Sequence, residues 1–380
     1  MKALVTGASG FIGRRLVMEL ARRGYEIVCL VRPTSKTAPL RGLPVEFVLG
    51  DLGDAASLAH AVNGRDHIFH LAGVIQTIDG PAFETANTLG TRNLVDACLR
   101  AAPAIKKFVF VSSIAAAGPS PDGKALTEAD EPRPVSAYGR SKLAAERIVL
   151  EAGARMPVTI VRPPNVFGPG SKEIERALVL LRKRLVPALG DSRPRTSLVD
   201  VDDLVAALLL AAENPRSAGR TYFVTDGRAY AWPEITAAIA EELGVKRFMI
   251  KVPFGIQILA ARLAETAARL GRKPPLLTRE IVRAARDYFW IYDGSKIERE
   301  LGFHPRYGLR ESVRRAVKGR AFGSPLARGL YPRASTAEVD PPGKPALIAS
   351  RMRTAKPGAP AAVEETRPAA RGRAGRKKEA

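Results

Sequence analysis

The chain has 380 residues, of which 46% are hydrophobic, and its formal net charge at pH 7 is +22. This length allows about two globular domains with sizeable cores. Two cysteines are too few for a disulfide framework and favour a reducing compartment, so we expect a cytoplasmic protein. The four histidines lack the spacing of metal ligands, and no metal site is predicted.

The first predicted elements are a strand at residues 2–5 and a helix at residues 14–23, separated by a glycine-rich turn. We expect no signal peptide, because the predicted fold begins at residue 2. Backbone amides and the positive end of a helix make such a turn an anion site. The turn therefore predicts a pyrophosphate site formed by Gly7, Ser9, Gly10, Phe11, Ile12 and Gly13.

The second predicted strand, residues 26–31, leads into Arg32 and Lys36 with no acidic residue between them. An NAD site usually places Asp or Glu here for the ribose hydroxyls, whereas Arg suits a 2′-phosphate. The pattern favours NADP over NAD as the cofactor. A strand end that simply faces solvent is the alternative interpretation of Arg32.

The third and fourth predicted strands, residues 45–49 and 67–71, are followed by short polar or small segments. After the third strand come Asp51 and Leu52, ahead of a predicted helix at residues 55–62. The Asp51 carboxylate either accepts from an adenine amino group, which we prefer, or caps that helix. The fourth strand ends at Leu71, and the small residues Ala72 and Gly73 that follow would let a nucleotide approach the backbone there.

The fifth predicted strand, residues 108–112, precedes Ser113, and helices are predicted at residues 88–101 and 137–152. Tyr138 and Lys142 are four residues apart, so they share one face of the second helix. A nearby ammonium lowers the pKa of a tyrosine, which can then exchange a proton with a carbonyl oxygen during hydride transfer. Ser113 is placed to hydrogen-bond the same oxygen.

Strand–helix alternation continues to residues 158–161 and predicts an α/β fold with a doubly wound parallel (Rossmann) sheet. Residues 197–212 and 221–225 are predicted to return to this sheet. The predicted domains are therefore a dinucleotide-binding domain (1–170 and about 195–228) and a mostly helical substrate lobe (about 171–194 and 229–318). A basic tail, 319–380, is predicted to be disordered.

The motifs resemble those of the extended short-chain dehydrogenases/reductases, the NAD-dependent epimerase/dehydratase superfamily. The matching segments, in family order, are residues 6–13, 51–52, 70–73, 87–91, 111–113, 138–142, 162–170 and 198–203. The resemblance implies Tyr138 as the acid–base group, and Lys142 as the residue that holds the nicotinamide ribose and lowers the tyrosine pKa. It also implies Ser113 and the supporting Asn87 as catalytic residues, and Pro163 beside the nicotinamide.

Three hypotheses follow from this resemblance. Residues 112–119 are closest to the 3β-hydroxysteroid dehydrogenase and dihydroflavonol reductase branch, which favours NADPH-linked reduction of a carbonyl on a bulky small molecule, or oxidation of a secondary alcohol. A sugar-nucleotide epimerase or dehydratase with tightly bound cofactor is the alternative. Its diphosphate would bind basic residues at Arg176, Arg182, Lys183, Arg184, Arg193 and Arg195. A non-catalytic dinucleotide-binding scaffold is the third.

Partners other than the substrate are suggested by charge and by one apolar segment. The tail carries 13 Lys/Arg against 5 Asp/Glu and nearly lacks aromatic residues, so weak contact with an anionic surface is expected rather than nucleic-acid binding. Residues 252–270 are amphipathic but too interrupted by charge to cross a membrane. They are predicted to pack in the substrate lobe, with a membrane surface as the alternative. A homodimer is compatible with the resemblance.

Overall fold

The computed structural model describes residues 1–77, 81–102, 104–171, 185–188, 194–244, 248–271 and 277–319. The predicted disordered tail lies outside these ranges beyond residue 319. The strands are β1 (Lys2–Thr6), β2 (Glu26–Val31), β3 (Val45–Leu49), β4 (His67–His70), β5 (Lys107–Val111), β6 (Val158–Arg162), β7 (Asn165–Phe167), β8 (Leu185–Ala188), β9 (Arg195–Asp200), β10 (Arg220–Phe223), β11 (Ala229–Ala231) and β12 (Phe248–Lys251).

The helices connect these strands on both faces of the main sheet. The α-helices are α1 (Phe11–Arg22), α2 (Ala55–Val62), α3 (Gly90–Ala101), α4 (Ile114–Ala117), α5 (Ala137–Ala152), α6 (Val201–Glu213), α7 (Trp232–Glu242), α8 (Phe254–Gly271), α9 (Arg279–Asp287), α10 (Ser295–Leu301) and α11 (Leu309–Lys318). A π-helical segment, Glu84–Leu89, leads directly into α3. Among the described helices, none combines the length and apolarity needed to cross a bilayer.

The main sheet has seven parallel strands in the order β3-β2-β1-β4-β5-β6-β10. This confirms the predicted doubly wound sheet. Strand β10 returns to it as predicted, whereas residues 197–200 of the predicted return lie in β9, which belongs to a separate three-stranded sheet. The strand order reverses between β1 and β4, and ligands of such sheets bind in the crevice at the carboxyl ends of the strands beside this point. The glycine-rich turn after β1 and residues 71–73 after β4 flank this crevice.

Two hydrophobic cores sandwich the sheet, because its strands are apolar on both sides. Successive residues of a strand point to opposite faces. Val5 packs in one core, with Leu16 of α1 and Leu208 of α6. Leu4 packs in the other, where helices α2, α3 and α5 supply their apolar faces. Burial on both faces explains why the strands appear in the sequence as continuous apolar runs.

A smaller assembly lies beyond the main sheet. Strands β7, β9 and β11 form a three-stranded sheet, and β8 pairs with β12. Phe167, Leu198, Ile235 and Val313 share a separate core that joins this sheet to α7 and α11. The division of the chain into a cofactor domain and a substrate lobe stays a prediction.

Candidate active site

The glycine-rich turn packs tightly against the segment after β4. Gly7 has a φ of 73°, a conformation that favours glycine. A Cβ atom at Gly7 would lie 2.7 Å from Ala72 N, and one at Gly13 would lie 2.9 Å from Ala8 Cα. Helix α1 begins at Phe11, three residues before the predicted start, and its N-cap Gly10 makes no side-chain capping bond. The turn therefore has the close backbone and uncapped helix start that a pyrophosphate site needs.

A buried hydrogen-bond chain centred on His70 lies behind this turn. Thr91 Oγ1 donates to Asn87 O over 2.5 Å, so it accepts from His70 Nε2, which lies 3.0 Å away. His70 Nδ1 is then the acceptor for the Thr6 hydroxyl at 2.7 Å. Thr6 Oγ1 in turn accepts from Ala72 N at 3.2 Å. This chain of hydrogen bonds joins the end of β1 to the π-helical segment.

Asn87 occupies a bridging position rather than the cavity wall. Its Oδ1 accepts from Val74 N at 2.8 Å, and its Nδ2 donates to Val74 O and to Ser141 Oγ, each over 3.0 Å. The Ser141 hydroxyl donates to Tyr138 O over 2.8 Å. Asn87 thus fastens the loop after β4 to the first turn of α5. The α-helix predicted to begin at residue 88 begins at Gly90, because a π-helical turn precedes it.

One cavity of about 780 Å³ brings seven of the predicted site residues together. These residues are Ile12, Leu71, Gly73, Ser113, Tyr138, Lys142 and Pro163. The one-turn helix α4 begins after Ser113, whose Oγ accepts from Ala115 N at 3.1 Å. Helix α5 begins after Ser136, whose Oγ accepts from Gly139 N at 2.9 Å. These two caps fix the starts of the elements that carry Ser113 and Tyr138.

Lys142 lies in an environment that disfavours its charge. Its Nζ donates to Val111 O over 2.8 Å and lies 4.1 Å from the centre of the Phe110 ring. Burial lowers the pKa of Lys142 to about 7, and the Glu146 carboxylate raises it by less. Glu146 is already held by a buried two-bond ion pair with Arg162, at 2.9 and 2.6 Å.

Tyr138 is held in the protonated form. Burial raises its pKa above the ordinary value, and the hydrogen bond with the Ser113 side chain lowers it by less. The sequence predicted the opposite direction, with Lys142 lowering the tyrosine pKa. The physical reason for the difference is burial, which desolvates the phenol and also removes much of the Lys142 charge near pH 7.

The residues predicted to bind the adenosine end of the dinucleotide cofactor follow β2 and β3 and lie outside the cavity. Arg32 and Lys36 are exposed, and Arg32 N donates to Ser35 Oγ over 3.0 Å in a tight turn. Asp54, not Asp51, caps α2, with its side chain accepting from Ala56 N at 3.1 Å. Asp51 Oδ1 instead accepts from Gly53 N at 2.9 Å. Asp51 was expected either to accept from adenine or to cap α2, and the structure shows that Asp54 is the cap.

Leu52 and Pro163 contribute through their backbones. The Leu52 carbonyl accepts from the Asn93 side chain at 2.8 Å, which ties the segment after β3 to α3. The Pro163 carbonyl accepts from Ile114 N at 3.1 Å, so it holds the start of α4 beside the cavity.

Of the basic residues predicted to bind a substrate diphosphate, Arg195 is exposed and donates a hydrogen bond to Ala229 O. The others, Arg176, Arg182, Lys183, Arg184 and Arg193, lie outside the described residues.

Sequence reasoning missed two polar residues of this site. His70 was weighed as a metal ligand and lies in the matching segment 70–73, but it was given no role in the site, since its partners are distant in sequence. Ser112 lines the cavity, and its buried Oγ has no hydrogen-bond partner among the described residues. A buried hydroxyl without a partner is costly, so it fits a site completed by a polar ligand. The sequence signal that could have identified Ser112 is its position directly after β5 and next to Ser113.

Comparison with known proteins matches residues 3–224 to the NAD dependent epimerase/dehydratase family. A putative dihydroflavonol 4-reductase of Synechocystis sp. is 31% identical, over 82% of this chain and 92% of its own length. A farnesyl-dihydroquinoline-1-oxide ketoreductase of Stigmatella aurantiaca is 30% identical, over 87% and 99%. The solved structure of MoeE5 in complex with UDP-glucuronic acid and NAD is 27% identical, with a TM-score of 0.67 over 84% of this chain and 98% of that one.

Proposed function

The chain belongs to the NAD dependent epimerase/dehydratase family, and we propose that it reduces the ketone of a bulky, largely apolar small molecule with NADPH. The observation that carries this proposal is the cavity in which Ser113, Tyr138 and Lys142 meet an apolar wall. Ile75, Phe83, Val166 and Trp290 belong to that wall. Other lining residues are polar, among them Gln76, Asn165, Glu265 and Arg279. A cavity that combines an apolar wall with convergent polar groups suits a small organic substrate.

The proposed reaction uses Tyr138 as the proton donor. When bound, NADPH supplies a hydride to the carbonyl carbon. The Tyr138 phenol donates its proton to the carbonyl oxygen, and Ser113 orients that oxygen by a hydrogen bond. The ketone becomes a secondary alcohol, and solvent reprotonates the phenolate.

The proposed cofactor site extends from the glycine-rich turn to the edge of the sheet after β2. The close approach of Gly7 to Ala72 leaves the bare backbone that a pyrophosphate requires. Arg32 and Lys36, both exposed, would hold a 2′-phosphate as ion pairs. Asp51 would accept from the adenine amino group. Lys142 would hold the nicotinamide ribose, and the free hydroxyl of Ser112 would complete its hydrogen bonding at the same end.

Relatives support the reductive reaction over the alternative. The two relatives at 30–31% identity are a putative reductase and a ketoreductase. The alternative, epimerisation or dehydration of a sugar nucleotide with tightly held cofactor, is favoured by the likeness to MoeE5 with its bound UDP-glucuronic acid and NAD. A homodimer and a cytosolic location stay predictions.

The test is oxidation of NADPH with a panel of bulky ketones. The purified protein is expected to turn over added NADPH, and Tyr138→Phe is expected to lose about 10²–10⁴-fold in kcat, because the proton donor is gone. Tyr25→Phe is the matched control, since its hydroxyl bonds Glu213 on another part of the fold. Cofactor that remains bound through gel filtration, together with no ketone turnover, would support the epimerase instead. Full activity of Tyr138→Phe would disprove the mechanism.

A further inference from the structure

Helix α8 is apolar on the side that faces away from the cavity. Its inner face supplies Glu265 and Ala268 to the cavity wall. On the opposite face Ile256, Leu259 and Leu263 form one row, spaced three and four residues apart, which we call the outer stripe. Their exposed fractions are 57%, 56% and 63%. A surface helix normally turns polar residues outward, so this exposed row indicates a face that docks on something.

One exposed arginine flanks the outer stripe, in a chain of net charge +22. Arg262 on α8 is exposed beside the stripe. Helix α9 contacts the opposite face of α8, because Arg286 packs over the ring of Phe254 at 4.1 Å and Arg279 pairs with Glu265. An apolar row flanked by an arginine, on a strongly basic chain, is complementary to an anionic lipid surface.

We propose that α8 docks on an anionic bilayer, with the outer stripe inserted at the boundary between headgroups and acyl chains. One helix then separates the bilayer from the cavity, so an apolar substrate dissolved in the membrane has a short route to Tyr138. This route rests on the proposed reduction of a bulky apolar ketone, whereas the docking itself does not. A second copy of the chain fits the stripe less well, because two chains of net charge +22 would repel each other.

The docking is tested by sedimentation of the full chain with vesicles. We expect the protein to bind phosphatidylcholine vesicles that contain phosphatidylglycerol and not vesicles of phosphatidylcholine alone. The double variant Leu259→Gln/Leu263→Gln is expected to bind about tenfold or more weakly, since two exposed leucines no longer enter the lipid. Leu150→Gln, at a leucine that is 44% exposed on α5, is the matched control and should bind like the wild type.

Three outcomes would overturn the proposal. Unchanged vesicle binding of the double variant would assign the binding to another basic segment, such as the tail. Absence of binding by the wild type would exclude a lipid surface. A wild-type dimer that the double variant converts to monomers, without vesicle binding, would identify a second copy as the occupant. Turnover of a water-soluble ketone without vesicles is measured separately, so failure of the proposed reaction is distinguishable from failure of the docking.

Discussion

The buried His70 should support cofactor binding without touching the cofactor. Replacing it by Phe keeps an aromatic ring of similar volume beside Phe110, whose ring centre is 5.4 Å away. The substitution removes both hydrogen bonds of the imidazole. The Thr6 hydroxyl then lacks its acceptor, and Thr91 Oγ1 lacks its donor. Both threonines are buried, so water cannot easily replace the lost partners.

The size of the effect follows mainly from Thr6, because Thr91 Oγ1 keeps its hydrogen bond to Asn87 O. A buried donor left without a partner costs about 1–3 kcal/mol, so His70→Phe should lower the free energy of unfolding by about 1–3 kcal/mol. The functional effect has a separate origin. Thr6 Oγ1 holds Ala72 N, against which Gly7 packs, and Thr91 holds the carbonyl of Asn87. Loosening both should weaken NADPH binding about tenfold, through a poorly ordered turn.

His67 offers a matched control on the same strand. It is also buried, but it lies at the other end of β4, where its Nδ1 is 3.5 Å from the Tyr25 hydroxyl. His67→Phe should lower stability by less than His70→Phe and leave the NADPH dissociation constant unchanged. Urea unfolding gives the first quantity and fluorescence titration of NADPH gives the second. Equal NADPH dissociation constants for the two variants would refute the idea that the hydrogen bonds of His70 position the glycine-rich turn.

The remaining predictions concern the turn, the 2′-phosphate and Lys142. Gly13→Ala should abolish binding of either cofactor, because its Cβ would lie 2.9 Å from Ala8 Cα, whereas Gly255→Ala, with no atom near its Cβ, should leave titrations unchanged. Arg32→Asp should raise the KM for NADPH much more than for NADH, and an unchanged ratio would remove the phosphate role. Lys142→Met should abolish turnover but raise the unfolding free energy at pH 7, by at most about 5 kcal/mol from a pKa lowered from 10.5 to about 7. The unfolded state binds the extra proton between pH 7 and 10.5, so urea unfolding should show this gain shrinking as pH rises through that window.

The main sheet was predictable because its strands are buried on both faces. The apolar run at residues 26–31 gives the observed bounds of β2, which is buried after its first residue. The bounds of β3, residues 45–49, were also predicted, although this edge strand buries only Val48. The start of α1 was placed three residues late, because Gly10 is an N-cap without a side-chain acceptor that could mark it. The π-helical turn at Glu84–Leu89 escaped prediction, since its apolar spacing differs little from that of an α-helix.

The sequence predicted those parts of the site in which the functional side chains are close together along the chain, and no others. Tyr138 and Lys142 are one helical turn apart, so their common face follows from the sequence. His70 bonds residues that are 64 and 21 positions away, and no local pattern indicates such partners. The direction of the Tyr138 pKa was wrong for a related reason. The burial of Tyr138 depends on residues such as Phe83 and Trp290, which line the same cavity but are far from residue 138 in the sequence.

Burial moves the ionisation of Tyr138 and Lys142 in complementary directions. The phenol is held protonated, and the amine is brought to a pKa of about 7, so a neutral pair is favoured in an apolar site. Proton donation to a substrate oxygen creates a phenolate, which an adjacent ammonium stabilises. Protonation of Lys142 should therefore become more favourable as Tyr138 loses its proton. Reduction forms this phenolate and oxidation starts from it, so its stabilisation by Lys142 assists proton transfer in both directions.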